Sequence, residues 1–206
     1  MRDDKKAERA GQIEAAAYAI LEEKGFAGLS VQAVAKRARA SNETIYKWYG
    51  DKTGLFEALI RRNSGLVEAA IGASHGKTAA DRLAEIGPVL LTMLLGPRAI
   101  ALNRAAASDP TGTLGRALAR EGRETIAPRV VALMQDAVHE GSLEGAPQEI
   151  AETWFSLLIG DLQVRRVTGA LSEPRTDYIT ARAATALARL RQLYPPRRLD
   201  ATPPNE

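Results

Sequence analysis

Residues 30–52 read SVQAVAKRARASNETIYKWYGDK, and the rest of the chain is organised around this stretch. Ser30 is placed to cap a helix by accepting a bond from an otherwise unpaired N–H. Val31, Val34, Ala35 and Ala38 then fall at i, i+3, i+4 and i+7, one apolar helical face. Arg39 and Ala40 fill a bend. Ser41 is a second N-cap, and residues 42–48 make a helix too short to be stable alone. Asp51 caps a further helix that opens at Lys52. The short helix turns Ile45 inward with Tyr49 and presents Asn42, Glu43, Thr44, Tyr46, Lys47 and Trp48. So short an element is useful only through its exposed side. Amides and hydroxyls read base edges, while lysine and tyrosine hold phosphates.

The run S-V-Q-A-V-A-K-R-A, followed from residue 40 by A-S-N-E-T-I-Y-K-W-Y-G-D-K-T-G-L-F, resembles the helix-turn-helix of the TetR (tetracycline-repressor) family. The matching positions are Ser30, Ser41, Thr44, Ile45, Tyr46, Trp48, Tyr49, Lys52 and Leu55. Arg39 departs from the pattern, because the family often has glycine in the turn. A non-glycine residue with positive φ is costly, so either the bend is made differently here or Arg39 is strained. The long motif covers residues 10–56, and the C-terminal two-thirds resembles the AefR-like subgroup at the level of pattern.

The resemblance implies an all-α transcription regulator, a repressor, with a three-helix head on DNA. It also implies homodimerisation through the last two long helices and release by a small-molecule effector. For this chain the base-edge candidates are Gln32, Asn42, Glu43 and Thr44. The phosphate candidates are Ser30, Ser41, Tyr46, Lys47, Trp48 and Lys52, with at least one of Lys36, Arg37 and Arg39. Two heads on a two-fold axis would read a palindromic duplex DNA site.

Composition agrees. The hydrophobic share of 45% and charged share of 26% are ordinary for a globular protein, and abundant alanine favours helix. The chain has no cysteine, which excludes disulfides and thiol chemistry and is compatible with a cytoplasmic home. The charged N-terminus lacks the apolar core of a signal peptide, and no apolar run reaches the ~20 residues that span a bilayer. Residues 1–62 hold 12 Lys+Arg against 9 Asp+Glu and the remainder is balanced, so the whole excess of +3 lies with the motif. That asymmetry suits a polyanion-binding head, although three charges are few.

Along the chain, residues 5–24 pattern as an amphipathic helix with Ile13, Ala17, Ile20 and Leu21 on its buried stripe. Residues 52–73 form a connecting helix with Leu55, Phe56, Leu59, Ile60, Leu66, Val67 and Ile71 inward. The expected division is 1–71 for the DNA-binding head, 72–194 for a helical dimerisation and effector domain, and 195–206 for a disordered proline-rich tail. In the second block a helix is expected to be kinked or interrupted at Gly87-Pro88, and Pro97 to open another. Pro128 marks a kink or restart. A nearly apolar helix is expected from Pro147 to about Ala170, and a last helix from Pro174 to Tyr194.

Several residues carry two readings. Met93, Trp154 and Phe155 either line a ligand cavity between helices or are plain core. Asp161 interrupts an apolar run, and pairing with Arg165 at i+4 is the alternative to ligand recognition. The two histidines, His75 and His139, have no second ligand at metal spacing, and His139 suits a helix C-terminus. No cofactor motif is present. An enzyme on a helical bundle lacks a nucleophile–base set or phosphate loop. A protein-interaction module with a positive head is the remaining alternative.

Overall fold

The computed structural model describes residues 2–196, so the tail expected over 195–206 lies mostly outside the described residues. The described residues form eleven α-helices and one π turn, with no strand among them. The head begins with α1 (Arg2–Gly28), whose helical course breaks at Gly25 (φ 62°, ψ −170°). That left-handed glycine turns Phe26 back onto Phe56, ring edge against face at 5.4 Å. Next come α2 (Val31–Ala38), α3 (Asn42–Tyr49) and α4 (Lys52–Ala73). Each has the expected cap: Ala33 N–H donates to Ser30 Oγ at 3.1 Å, Thr44 N–H to Ser41 Oγ at 3.0 Å, and Gly54 N–H to Asp51 Oδ1 at 2.8 Å. These bonds satisfy N–H groups that no helical carbonyl can reach.

The larger part comprises α5 (Ala79–Leu95), α6 (Pro97–Ala107), α7 (Thr113–Leu118), a π turn over Ala119–Arg123, α8 (Glu124–His139), α9 (Pro147–Ile159), α10 (Leu162–Thr168) and α11 (Thr176–Leu193). The interruption expected at Gly87-Pro88 is absent: α5 is helical through it, with Pro88 inside, and Gly87 allows close packing, since a Cβ there would lie 3.3 Å from Ala183 and 3.6 Å from Trp154. The helix expected from Pro147 to Ala170 breaks at Gly160 (φ 51°, ψ −130°), a conformation that favours glycine, and restarts as α10. Leu66, expected inward on α4, is 54% exposed.

The core falls into two clusters. One joins α1–α4 through Ile13, Leu29, Val34, Ile45, Phe56 and their neighbours, and it takes in Ala101, Leu102 and Ala105 of α6 and Leu114 and Ala117 of α7. The other joins Val67 of α4 to α5 and α8–α11 around the buried Trp154. Helix α4 therefore belongs to both clusters. No single helix is long and apolar enough to cross a membrane among the described residues; α5 and α6 together meet that length but bend by 52°.

Candidate nucleic-acid interface and an internal cavity

Helix α3 is held by its cap and by Ile45, which is fully buried. Its remaining polar side chains divide by what already occupies them. Asn42, Glu43, Tyr46 and Lys47 are exposed, and none makes a side-chain hydrogen bond or ion pair with another described residue. Gln32 on α2 is likewise exposed and unbonded. Thr44 Oγ1 lies 2.8 Å from Ser41 Oγ. The hydroxyls of Ser30 and Ser41 accept helix N–H bonds, so both act first as scaffold. Trp48, expected on the outward side, is half-buried, edge-on to Tyr49 at 6.4 Å and 5.9 Å from Lys6 Nζ. An eight-residue helix cannot turn a large indole wholly to water without losing one of its few packing contacts.

The bend before α3 is made by Arg39 itself in the left-handed region (φ 51°, ψ 42°). Its backbone N–H bonds back to the end of α2. The Arg9 guanidinium donates to the carbonyls of Ala38 and Arg39, so charge-assisted bonds from α1 clamp the turn. The Arg39 side chain stays exposed, with no ion-pair partner among the described residues. Arg37 is committed elsewhere: it pairs with Glu23 through two bonds of 2.6 and 2.7 Å, which hold the Glu23 carboxyl below its usual range. Lys52 Nζ sits 3.9 Å from the centre of the Phe26 ring, a cation–π contact, and burial lowers its pKa. Behind α3, the Tyr49 hydroxyl is buried with no hydrogen bond, and burial pushes its pKa up to about 12.

Between the two clusters lies a cavity of about 210 Å³. Of the residues with two readings, Met93 and Phe155 line it. Trp154 and Asp161 do not. Trp154 packs behind the wall, 5.5 Å from the Phe155 ring. Asp161 stands at the α9–α10 break with its carboxylate 73% exposed and 4.0 Å from Arg165, so the interruption of the apolar run is a surface position. Sequence reading missed Asn63, Asn103, Arg123 and Gln163 on the wall. Only Asn63 gave a signal: it follows Leu59 and precedes Val67 by four residues, on α4's buried stripe.

The π turn borders the cavity through Gly122 and Arg123 and is fastened to α4. Arg120 pairs with Glu57 at 2.7 Å, Arg61 with Glu121 at 3.1 Å, and Ser64 Oγ donates to the Glu121 carbonyl at 3.0 Å. Such turns often occur at functional sites.

Residues 13–59 match the family described as bacterial regulatory proteins, tetR family. Residues 81–195 match the AefR-like transcriptional repressor C-terminal domain. The chain belongs to the TetR family. It is therefore a DNA-binding transcription regulator with a helix-turn-helix, from a family that is not one of enzymes. A solved TetR transcriptional regulator from Agrobacterium tumefaciens is 29% identical, with 90% of this chain and 94% of that one covered and a TM-score of 0.74. The Bacillus subtilis regulator FadR, solved with stearoyl-CoA, is 16% identical over 87% of this chain and 96% of its own, with a TM-score of 0.68. That likeness is one of fold. The HTH-type regulator YdeS of Bacillus subtilis is 46% identical over 43 residues. That match spans 21% of this TetR-family chain and 22% of YdeS, and it is confined to a segment of that size.

Proposed function

We propose that this TetR-family chain is a cytoplasmic repressor that binds a palindromic operator as a homodimer and leaves it when a small molecule fills the cavity. The observation that carries the reading is the outer side of α3, where Asn42, Glu43, Tyr46 and Lys47 stand exposed and uncommitted on a helix fixed by Ser41 and Ile45. In this reading residues 1–71 are the DNA-binding head and 72–194 the dimerisation and effector part. Asn42, Glu43, Thr44 and Gln32 face base edges, and Arg39, Tyr46, Lys47 and Lys52 face phosphates. Ser30, Ser41 and Trp48 position them.

Helices α9 and α11 form the dimer surface. The outer side of α11 is exposed at Tyr178, Ala181, Ala184, Ala188 and Leu193, small and apolar residues that let a second copy approach closely across a two-fold axis. Helix α4 transmits the signal. Its Phe56 and Leu59 lie in the head core, while Asn63 and Ser64 one turn later line the cavity. An occupant that prefers one placement of α4 shifts the spacing of the heads, a population shift between two states.

Selection of bound sequences from random duplex DNA, followed by footprinting, tests the reading. The expected footprint is two-fold symmetric, with affinity falling steeply as salt rises. Asn42→Ala is expected to change the preferred base at one position of each half-site, worth about 1–3 kcal/mol. Lys52→Ala is expected to weaken all sequences alike and lower the salt slope by about one. An asymmetric footprint, or a base preference unchanged by Asn42→Ala, defeats the assignment.

A further inference from the structure

We infer that the cavity takes a compact, ring-based ligand that donates hydrogen bonds and carries no positive charge, an aromatic alcohol being the simplest member of the class. The inference rests on reading the cavity as the effector site and adds the chemistry of what enters it.

Three carboxamides line the wall: Asn63, Asn103 and Gln163. Asn103 Nδ2 donates to the Ala99 carbonyl at 2.8 Å and Gln163 Nε2 to the Leu94 carbonyl at 3.2 Å. A main-chain carbonyl only accepts, so each amide must turn its nitrogen to that partner and leave its oxygen over. Asn63 Nδ2 is directed at Met93 Sδ, 3.0 Å away, and a thioether also only accepts. None of the three oxygens receives a hydrogen bond from another described residue, and Asn63 is 7% exposed. The Ser64 hydroxyl is spent on the carbonyls of Ile60 and Glu121. Each carboxamide nitrogen also keeps a second N–H, and Arg123, exposed at the rim, is the one charged side chain among the described residues that line the wall.

The wall thus offers three unpaired acceptor oxygens, each beside one remaining amide N–H. An occupant that covers these oxygens without donating to them leaves them unpaired, which is costly, so one bringing O–H or N–H groups gains what a purely apolar one does not. No carboxylate lines the wall, so a cation would be desolvated without a counter-charge. Ile60, Leu90, Leu102, Ile126 and Phe155 make up most of the remaining surface and suit a ring. Size agrees: an apolar cavity of ~150 Å³ holds benzene, and this one, at about 210 Å³, has room for a substituted or fused ring.

Calorimetric titration of the full-length protein with three probes tests the class: 1,3-dihydroxynaphthalene, 1,3-dimethoxynaphthalene and 1-naphthylmethylammonium. The frame is shared, and only donors or charge differ. The dihydroxy compound is expected to bind at least tenfold more tightly than either of the others. In Asn103→Leu that preference is expected to fall at least threefold, with far-UV circular dichroism unchanged; Gln163→Met serves the same purpose should the first variant misfold. Equal affinity for the dimethoxy probe, tighter binding of the ammonium probe, or no binding of any of the three overturns the proposal. The titrations need no DNA, so their failure is separate from a failure of the footprint.

Discussion

Helix α3 presents its polar groups from eight consecutive residues, whereas the cavity draws its walls from segments spread between Ile60 and Gln163. The first site is held by one cap, one buried isoleucine and the clamped bend before it. The second exists only while α4 through α10 are all in place. A locally built site keeps its geometry when the rest of the molecule shifts. A site assembled from distant segments changes with any of them, and this suits it to sensing. The two meet in α4 and in α6, whose Leu102 belongs to the head's core and to the cavity wall alike.

The largest test of that contrast removes one buried side chain from each cluster. Trp154→Ala is expected to cost about 3–5 kcal/mol in urea denaturation, and Ile45→Ala about 2–5 kcal/mol. The consequences for binding should diverge. Loss of Ile45 is expected to abolish operator binding while affinity for 1,3-dihydroxynaphthalene stays within about twofold. Loss of Trp154, which supports Phe155 from behind, is expected to weaken the probe at least tenfold. If Ile45→Ala weakens the probe equally, the sites are not separately built.

What could be read from the sequence follows the same division. Ser30, Ser41 and Asp51 are caps whose partners lie three residues away, so their role is set by local chemistry. The start of α6 at Pro97 is legible for the same reason. The Gly160 break is not, because Leu157, Leu158 and Ile159 continue an apolar pattern to its edge and a glycine within a helix pattern is tolerated. Asn103 and Gln163 gave no signal, since a polar residue near the end of a pattern is normally solvated. Only the fold brings Gln163 to Leu94. Arg9, thirty residues from the turn it clamps, is hidden likewise.

A smaller effect sharpens the seam between α1 and α4. Glu14 of α1 lies 3.5 Å from Arg62 of α4. Burial raises its pKa above 4.5 and outweighs the attraction of Arg62 and Arg98. The folded state therefore binds this proton more tightly than the unfolded chain. Glu14's contribution is fully present below the unfolded value and is lost as pH rises through the folded one. Glu14→Gln does not titrate. Its melting temperature relative to wild type is expected to rise between pH 4 and pH 7, and a difference that stays flat or falls contradicts the buried-carboxyl account.

The finest test concerns the bend itself. A left-handed non-glycine residue costs ~1–2 kcal/mol, and Arg39 occupies that region at φ 51°. Arg39→Gly relieves the strain but frees the unfolded chain, so the net gain expected is at most about 1 kcal/mol. The Arg9 bonds reach main-chain carbonyls and survive the change, so α3 keeps its direction. DNA affinity is expected to move the other way, with the salt slope reduced by about one for the lost phosphate contact. Stability up and affinity down together would mean that the arginine is kept for its charge at the expense of the turn. Unchanged stability would mean instead that the Arg9 clamp already offsets the strain, and that the local site leans on a residue thirty positions away.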